Sequence, residues 1–122
     1  MKLHSDRITF ESIQGYGPGW IEVAGKKILH SIILTSRGQR IDWNCDSFES
    51  LSAQHFEQLA QLQTELVIFG SGAKLRFVSP SLTLALIGQQ IGLETMDTAA
   101  ACRTYNILAS EDRCVAVALL MR

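Results

Sequence analysis

The stretch ETMDTAAACRTYNILASEDRCVAVALLM, Glu94–Met121, decides the fold of this chain. Asp97 and Thr98 stand where a helix should begin, because either side chain accepts a hydrogen bond from the unpaired N–H groups of a first turn. No Gly or Pro interrupts Ala99–Ala109. Ala101, Cys102, Tyr105, Leu108 and Ala109 recur at helical spacing and make one apolar face, with Arg103, Asn106 and Ser110 opposite. Glu111-Asp112-Arg113 is a charged turn. Cys114–Met121 is then apolar at every position, the pattern of a strand covered on both faces. With Leu93–Met96 as a strand in front, the stretch reads strand, helix, strand.

Working outward, Leu66–Phe69 is a second fully apolar strand, closed by Gly70-Ser71-Gly72. Ser79-Pro80 opens a helix predicted to run to Ile91, Pro being favoured at the first helical position. Gly92 suits a left-handed cap. An earlier helix is predicted from Leu51 or Ser52 to about Leu62, with Phe56, Leu59 and Ala60 on one face. The back half is therefore β–α–β–α–β, which favours parallel strands with helices packed on the sheet. The front half reads as an antiparallel meander: strands at Arg7–Ser12, Trp20–Val23 and Ile28–Leu34, with a glycine-rich turn at Gly15–Gly19 between the first two. Arg40–Trp43 and Leu75–Val78 are further short strands. The expectation is a layered α/β domain spanning residues 1–122 as one unit.

The chain has 122 residues, 47% hydrophobic and 19% charged, a globular composition with enough length for an ordinary core. A net charge of −1 gives no electrostatic footprint for nucleic acid. No apolar run approaches the length of a membrane span. The three cysteines, Cys45, Cys102 and Cys114, form no CxxC, which fits free thiols in a reducing, cytoplasmic setting. The N-terminal segment has no apolar core of a signal peptide.

Candidate chemistry is sparse. The loop Gly70-Ser71-Gly72 follows an apolar strand and offers backbone amides to an anion. Leu75 stands where a dinucleotide fingerprint wants a third glycine, and Ala73-Lys74-Leu75 is no phosphate loop, so a tight turn is the favoured reading. Asp97 and Thr98 lie at the carboxyl end of a presumed parallel strand, the edge where ligands bind in open α/β sheets, though capping of the helix alone explains them. Together the two turns are a candidate anion-binding crevice, with Arg103 as an anion partner. Cys102 and Cys114 read as core thiols rather than nucleophiles, and Cys45 as the most exposed of the three. His4, His30 and His55 share no metal-ligand spacing. Trp20 and Trp43 read as core or sheet-cover residues. Phe10, Tyr16 and Trp20, with Pro18 between the last two, outline an aromatic patch suited to docking another protein. No catalytic residue, metal site or cofactor is expected.

Three segments carry a resemblance: GYGPGWIEVAGKKILHSIIL (15–34), LVIFGSGAKLRF (66–77) and IGLETMDTAAACRTYNILASEDRCVAVALL (91–120). They resemble a small family that includes the mitochondrial complex I assembly factor three and an adipogenesis-associated cytosolic protein. The most specific part is the E-x-M-D-T-x-x-A-x-R-T-Y-N-x-L run at 94–108, with the glycine loop, where Ser71 replaces the threonine expected in many relatives. The resemblance implies three layers: a central mixed, largely parallel sheet, helices, and a small additional N-terminal β layer. It implies a protein-contact role and carries over no catalytic residue. Three functions are thus weighed: a non-enzymatic interaction or assembly factor with another protein as partner; a binder of a small anion or phosphorylated metabolite, or minor enzyme, at Gly70–Gly72 and Asp97–Thr98; and, opposed by the charge balance, nucleic-acid binding.

Overall fold

The structure is a computed structural model and describes residues 10–122. Two sheets carry it. Strands β1 (Ile13–Gly17), β2 (Trp20–Val23) and β3 (Lys26–Ile28) form a small antiparallel sheet. The second sheet has five strands in the order β5-β4-β8-β6-β7, built from β4 (Ile32–Thr35), β5 (Arg40–Asp42), β6 (Leu66–Gly70), β7 (Gly92–Met96) and β8 (Val115–Leu119). β8 runs parallel to β6, and β6 to β7, whereas β4 is antiparallel to both β8 and β5. The sheet is therefore mixed, with its parallel half confined to β8, β6 and β7.

The helices follow from the direction of the crossovers. β6 leads outward to β7 through α2 (Leu84–Gly88), and β7 leads back past β6 to β8 through α3 (Thr98–Ser110). Two right-handed crossovers of opposite direction put their helices on opposite faces. Accordingly Leu86 of α2 joins Phe56 and Leu59 of α1 (Ala53–Ala60) against Ile33, Val67, Phe69, Ala116 and Ala118. On the other face Ala101, Cys102 and Tyr105 of α3 pack with Ile13, Ile21 and Val23 of the small sheet against Ile68, Val115, Val117 and Leu119. Three layers result: α1 and α2, the five-stranded sheet, then α3 beside the small sheet.

β8 is buried at all five positions because both its faces are covered and both its edges are paired. Its alternation is one of size rather than polarity. Ala116 and Ala118 face the aromatic cluster of Trp43, Phe56 and Phe69, whose rings meet edge to face at 5.9–6.4 Å. The larger Val117 and Leu119 face α3.

Several expected boundaries move. Residues 7–9 of the expected first strand lie outside the described residues, and 10–12 are not in a strand. The strand is instead Ile13–Gly17, the segment that reads as a turn; the reversal falls at Pro18-Gly19. A bulge between Ile13 and Gly15 lets the glycine string pair, and Gly17 lies under the indole of Trp20, where a Cβ would sit 2.5 Å from Nε1. The expected strand Ile28–Leu34 splits into β3 and β4, because the chain passes there from one sheet to the other. Leu75–Val78 forms no strand, and the helix expected from Pro80 to Ile91 breaks into a 3-10 turn (Pro80–Leu82) and α2. Thr83 between them donates its hydroxyl to Pro80 O at 3.1 Å, closing the first turn before the second begins.

Side-chain expectations shift too. Cys45 is buried, its Sγ 3.2 Å from Ser47 O, rather than exposed. Cys114 is half-buried just before β8, with Arg37 Nη2 3.0 Å from its sulfur. His55 does not point into solvent from a polar helix face: its Nδ1 accepts the Ser52 N–H at 3.0 Å, and Nε2 lies 2.6 Å from Asn44 O. His30 is exposed and bonds Asp42 at 2.8 Å. His4 lies outside the described residues. No described helix is long and apolar enough to cross a membrane.

Candidate functional site

β6, β7 and β8 all end at the same edge of the large sheet, and the chain segments that leave them meet there. Gly72 and Ala73 follow β6, Asp97–Ala99 follow β7 and open α3, and Leu120 and Met121 follow β8. The β1–β2 hairpin leans over them with Tyr16, Gly17, Pro18 and Gly19. Between these four segments lies an open cleft of about 340 Å³. Gly72, Asp97 and Thr98 of the expected crevice and Tyr16 and Pro18 of the expected docking patch line this one cleft.

Thr98 fastens three of the four segments. Its hydroxyl donates to Leu120 O at 2.7 Å and accepts from the Gly72 N–H at 2.9 Å, and its own N–H donates to Gly72 O at 2.9 Å. Asp97 caps α3: its Oδ1 accepts the Ala100 N–H at 2.9 Å. The amides of Gly72, Thr98 and Ala100 are thus committed within the protein. Gly72 requires its glycine, since it adopts φ +101° and a Cβ there would overlap Arg122 O.

Gly70 and Ser71 sit behind the cleft rather than in it. A Cβ on Gly70 would lie 2.8 Å from Leu119 Cδ2 and 3.0 Å from Thr98 Oγ1, so the missing side chain lets α3 and β8 close on β6. Ser71 is fully buried; its hydroxyl donates to Lys74 O at 2.6 Å and accepts from the Arg76 N–H at 3.0 Å, shaping the loop that presents Ala73.

Arg103 does not line the cleft. Its guanidinium donates to Tyr16 Oη at 2.9 Å and lies over the Tyr16 ring, so it braces the hairpin against α3. Pro18 lines the cleft and is exposed. Trp20 stands outside, with Lys27 Nζ 4.6 Å from its ring, and Phe10 packs edge-on against Tyr105 instead of joining an exposed aromatic surface. Cys102 is fully buried on the inner face of α3, and burial pushes its thiol up to about 12, which suits a core group and not a nucleophile. Among the described residues no group of His, Cys, Asp and Glu is placed to hold a metal ion.

Sequence reasoning named Gly72, Asp97, Thr98, Tyr16 and Pro18 but missed Ala73, Ala99, Leu120 and Met121. Small or aliphatic side chains carry no chemical signal. Only the shared end of three parallel strands brings them together.

Chemically, the cleft has apolar walls from Pro18, Ala73, Ala99, Leu120 and Met121, the Tyr16 ring, and one carboxylate, Asp97. Among the described residues that line it there is no nucleophile–base pair. The fold and this cleft define a small three-layer α/β protein whose surface feature is a recess at the carboxyl end of its parallel strands. The chain belongs to the family described as "Protein of unknown function (DUF498/DUF598)", whose model matches residues 13–120. It is 34% identical over 108 residues to an uncharacterized protein of Rhodobacter capsulatus, covering 88% of this chain and 82% of that one. It is 25% identical over 121 residues to the Xenopus tropicalis "NADH dehydrogenase [ubiquinone] 1 alpha subcomplex assembly factor 3", covering 98% of this chain but 66% of the relative. The mouse protein of the same name is matched over 59% of its length. Among solved structures, a Bordetella parapertussis protein superposes with a TM-score of 0.86 at 34% identity, covering 92% of this chain and 96% of that one. A Bordetella pertussis protein described as an Mth938-like domain gives 0.82 at 31%, covering 98% and 92%.

Proposed function

We propose that the protein acts as a non-enzymatic, assembly-type factor that binds another protein at the cleft between the β1–β2 hairpin and the start of α3. One observation carries this reading: the cleft is walled by apolar side chains while the amides of Gly72, Thr98 and Ala100 are already hydrogen-bonded inside the protein. Such a surface gains from covering apolar area and has little to offer a phosphate. The relatives named as NADH dehydrogenase assembly factors support the same class of role. The free thiols Cys45, Cys102 and Cys114 suit a cytoplasmic setting.

The test is a photo-crosslinking amino acid placed at Ala73, with Glu57 on the exposed side of α1 as the control, in the native host. A discrete protein adduct from Ala73 and none from Glu57 is the expected result. Equal labelling from both positions, or none from Ala73, would refute the reading. The competing function, a small-anion or phosphorylated-metabolite site at Gly70–Gly72 and Asp97–Thr98, predicts that phosphate or nucleotides raise the melting temperature. No rise is expected, because the best placed amide, Gly72 N–H, is held by Thr98 Oγ1.

A further inference from the structure

The cleft's size and charge restrict what can fill it. A helix is about 10 Å across with its side chains and does not enter a recess of about 340 Å³. One large side chain with its flanking backbone does. The walls at Pro18, Ala99, Leu120 and Met121 favour an apolar side chain there. Among the described residues that line the cleft, Asp97 carries the one charged side chain. Asp97 uses Oδ1 to cap α3, and Oδ2 has no partner among the described residues. Two cations stand nearby and both are already engaged: Arg103, which senses that charge, donates to Tyr16 Oη, and Arg76 donates to Ser71 O and Glu49. An anionic occupant would meet Asp97; a cationic one would complete it.

We propose that the occupant is an extended segment of a different protein that lays one large apolar side chain into the recess and sets an adjacent lysine or arginine against Asp97. This rests on the docking reading above and adds the chemistry of the partner to it.

The variant D97N makes the charge testable without unfolding the helix, because Asn caps an N-terminus as well as Asp does. The probes are end-blocked tetrapeptides with a central Phe-Arg, Phe-Glu, Phe-Gly or Ala-Arg pair, titrated to millimolar concentration while the protein's backbone amides are followed by NMR. Phe-Arg is expected to move the amides of Gly72, Ala73, Ala99 and Met121. Phe-Glu should bind more weakly by about three- to fivefold, the scale of one solvated ion pair, and Ala-Arg by about tenfold or more, the scale of one buried apolar side chain. In D97N the advantage of Phe-Arg over Phe-Glu should vanish while Phe-Arg keeps its advantage over Ala-Arg. Equal binding of Phe-Arg and Phe-Glu to the parent protein would overturn the proposal. So would a preference that survives in D97N, shifts confined to other surfaces, or no shift at all. Shifts at the same amides with inorganic phosphate, or a concentration-dependent dimer that A73W abolishes, would replace the occupant by an anion or by a second copy. A crosslink from Ala73 that persists in any of these cases leaves the docking reading in place and removes only this occupant.

Discussion

Thr98 does more than start a helix. Its hydroxyl ties the loop after β6 to the segment after β8, so the cleft depends on one oxygen that both donates and accepts. Valine matches threonine in shape and lacks that oxygen. T98V leaves the Gly72 N–H and Leu120 O without a partner and should cost about 2–4 kcal/mol, whereas T98S should stay within about 1 kcal/mol of the parent in urea denaturation. Cys102 supplies a pH signature. Its thiol moves from the ordinary 9.0 to about 12 through desolvation, chiefly, with the charge of Asp97 acting in the same direction. The folded state therefore keeps the proton that the unfolded chain gives up. Stability contributed by this group is intact below pH 9.0 and is lost as pH rises toward about 12, by up to about 1.4 kcal/mol per pH unit. Tyr105, also buried and also raised, adds in the same direction at higher pH. Chemical unfolding across the alkaline range should show this fall, and C102A should flatten its lower part.

At the scale of elements, the junction of α3 with the small sheet is the informative one. Two residues of the helix face that reads as solvent-exposed, Arg103 and Asn106, bind the small sheet. Asn106 accepts the Ile13 N–H and donates to Ile13 O, both at 2.9 Å, as a strand neighbour would. Asn is the short side chain that offers both functions in one plane. N106A should loosen β1–β3 more than the five-stranded sheet: hydrogen exchange at Ile21 and Val23 should accelerate, with global stability lowered by about 1–3 kcal/mol. N106D keeps the acceptor and loses the donor, so its effect should fall between the parent and N106A. Uniform acceleration across both sheets would mean that the clamp is not specific to this junction.

For the molecule as a whole, β8 is the strand on which both layers of helices and both halves of the sheet converge. Its amides, Val115–Leu119, should be the last to exchange with deuterium, together with β6, while the edge strands β5 and β7 exchange earlier. The cleft inherits this rigidity on three of its sides from the ends of paired strands. The fourth side, the β1–β2 hairpin, hangs on Asn106 and on the Arg103–Tyr16 bond, so the cleft is expected to widen or narrow from that side. Earlier exchange at Tyr16 and Gly17 than at Leu119 would record it.

The sequence by itself determined the layered α/β class, the burial of β6 and β8, the α3 cap at Asp97 and the strand–helix–strand order of the back half. Continuous apolar runs, helical spacing and capping residues are local signals, and each is written within a few neighbouring positions. It did not reveal that Gly15–Gly17 is a strand, because a glycine string looks like a turn until the Trp20 indole that covers it is in place. Nor did it show that Arg103 and Asn106 face the small sheet, or that Leu120, Met121, Ala73 and Pro18 share one recess. Those facts depend on residues 87 and 93 positions apart in the chain meeting in space. Only the sheet order, which sets where three parallel strands end together, could bring them there.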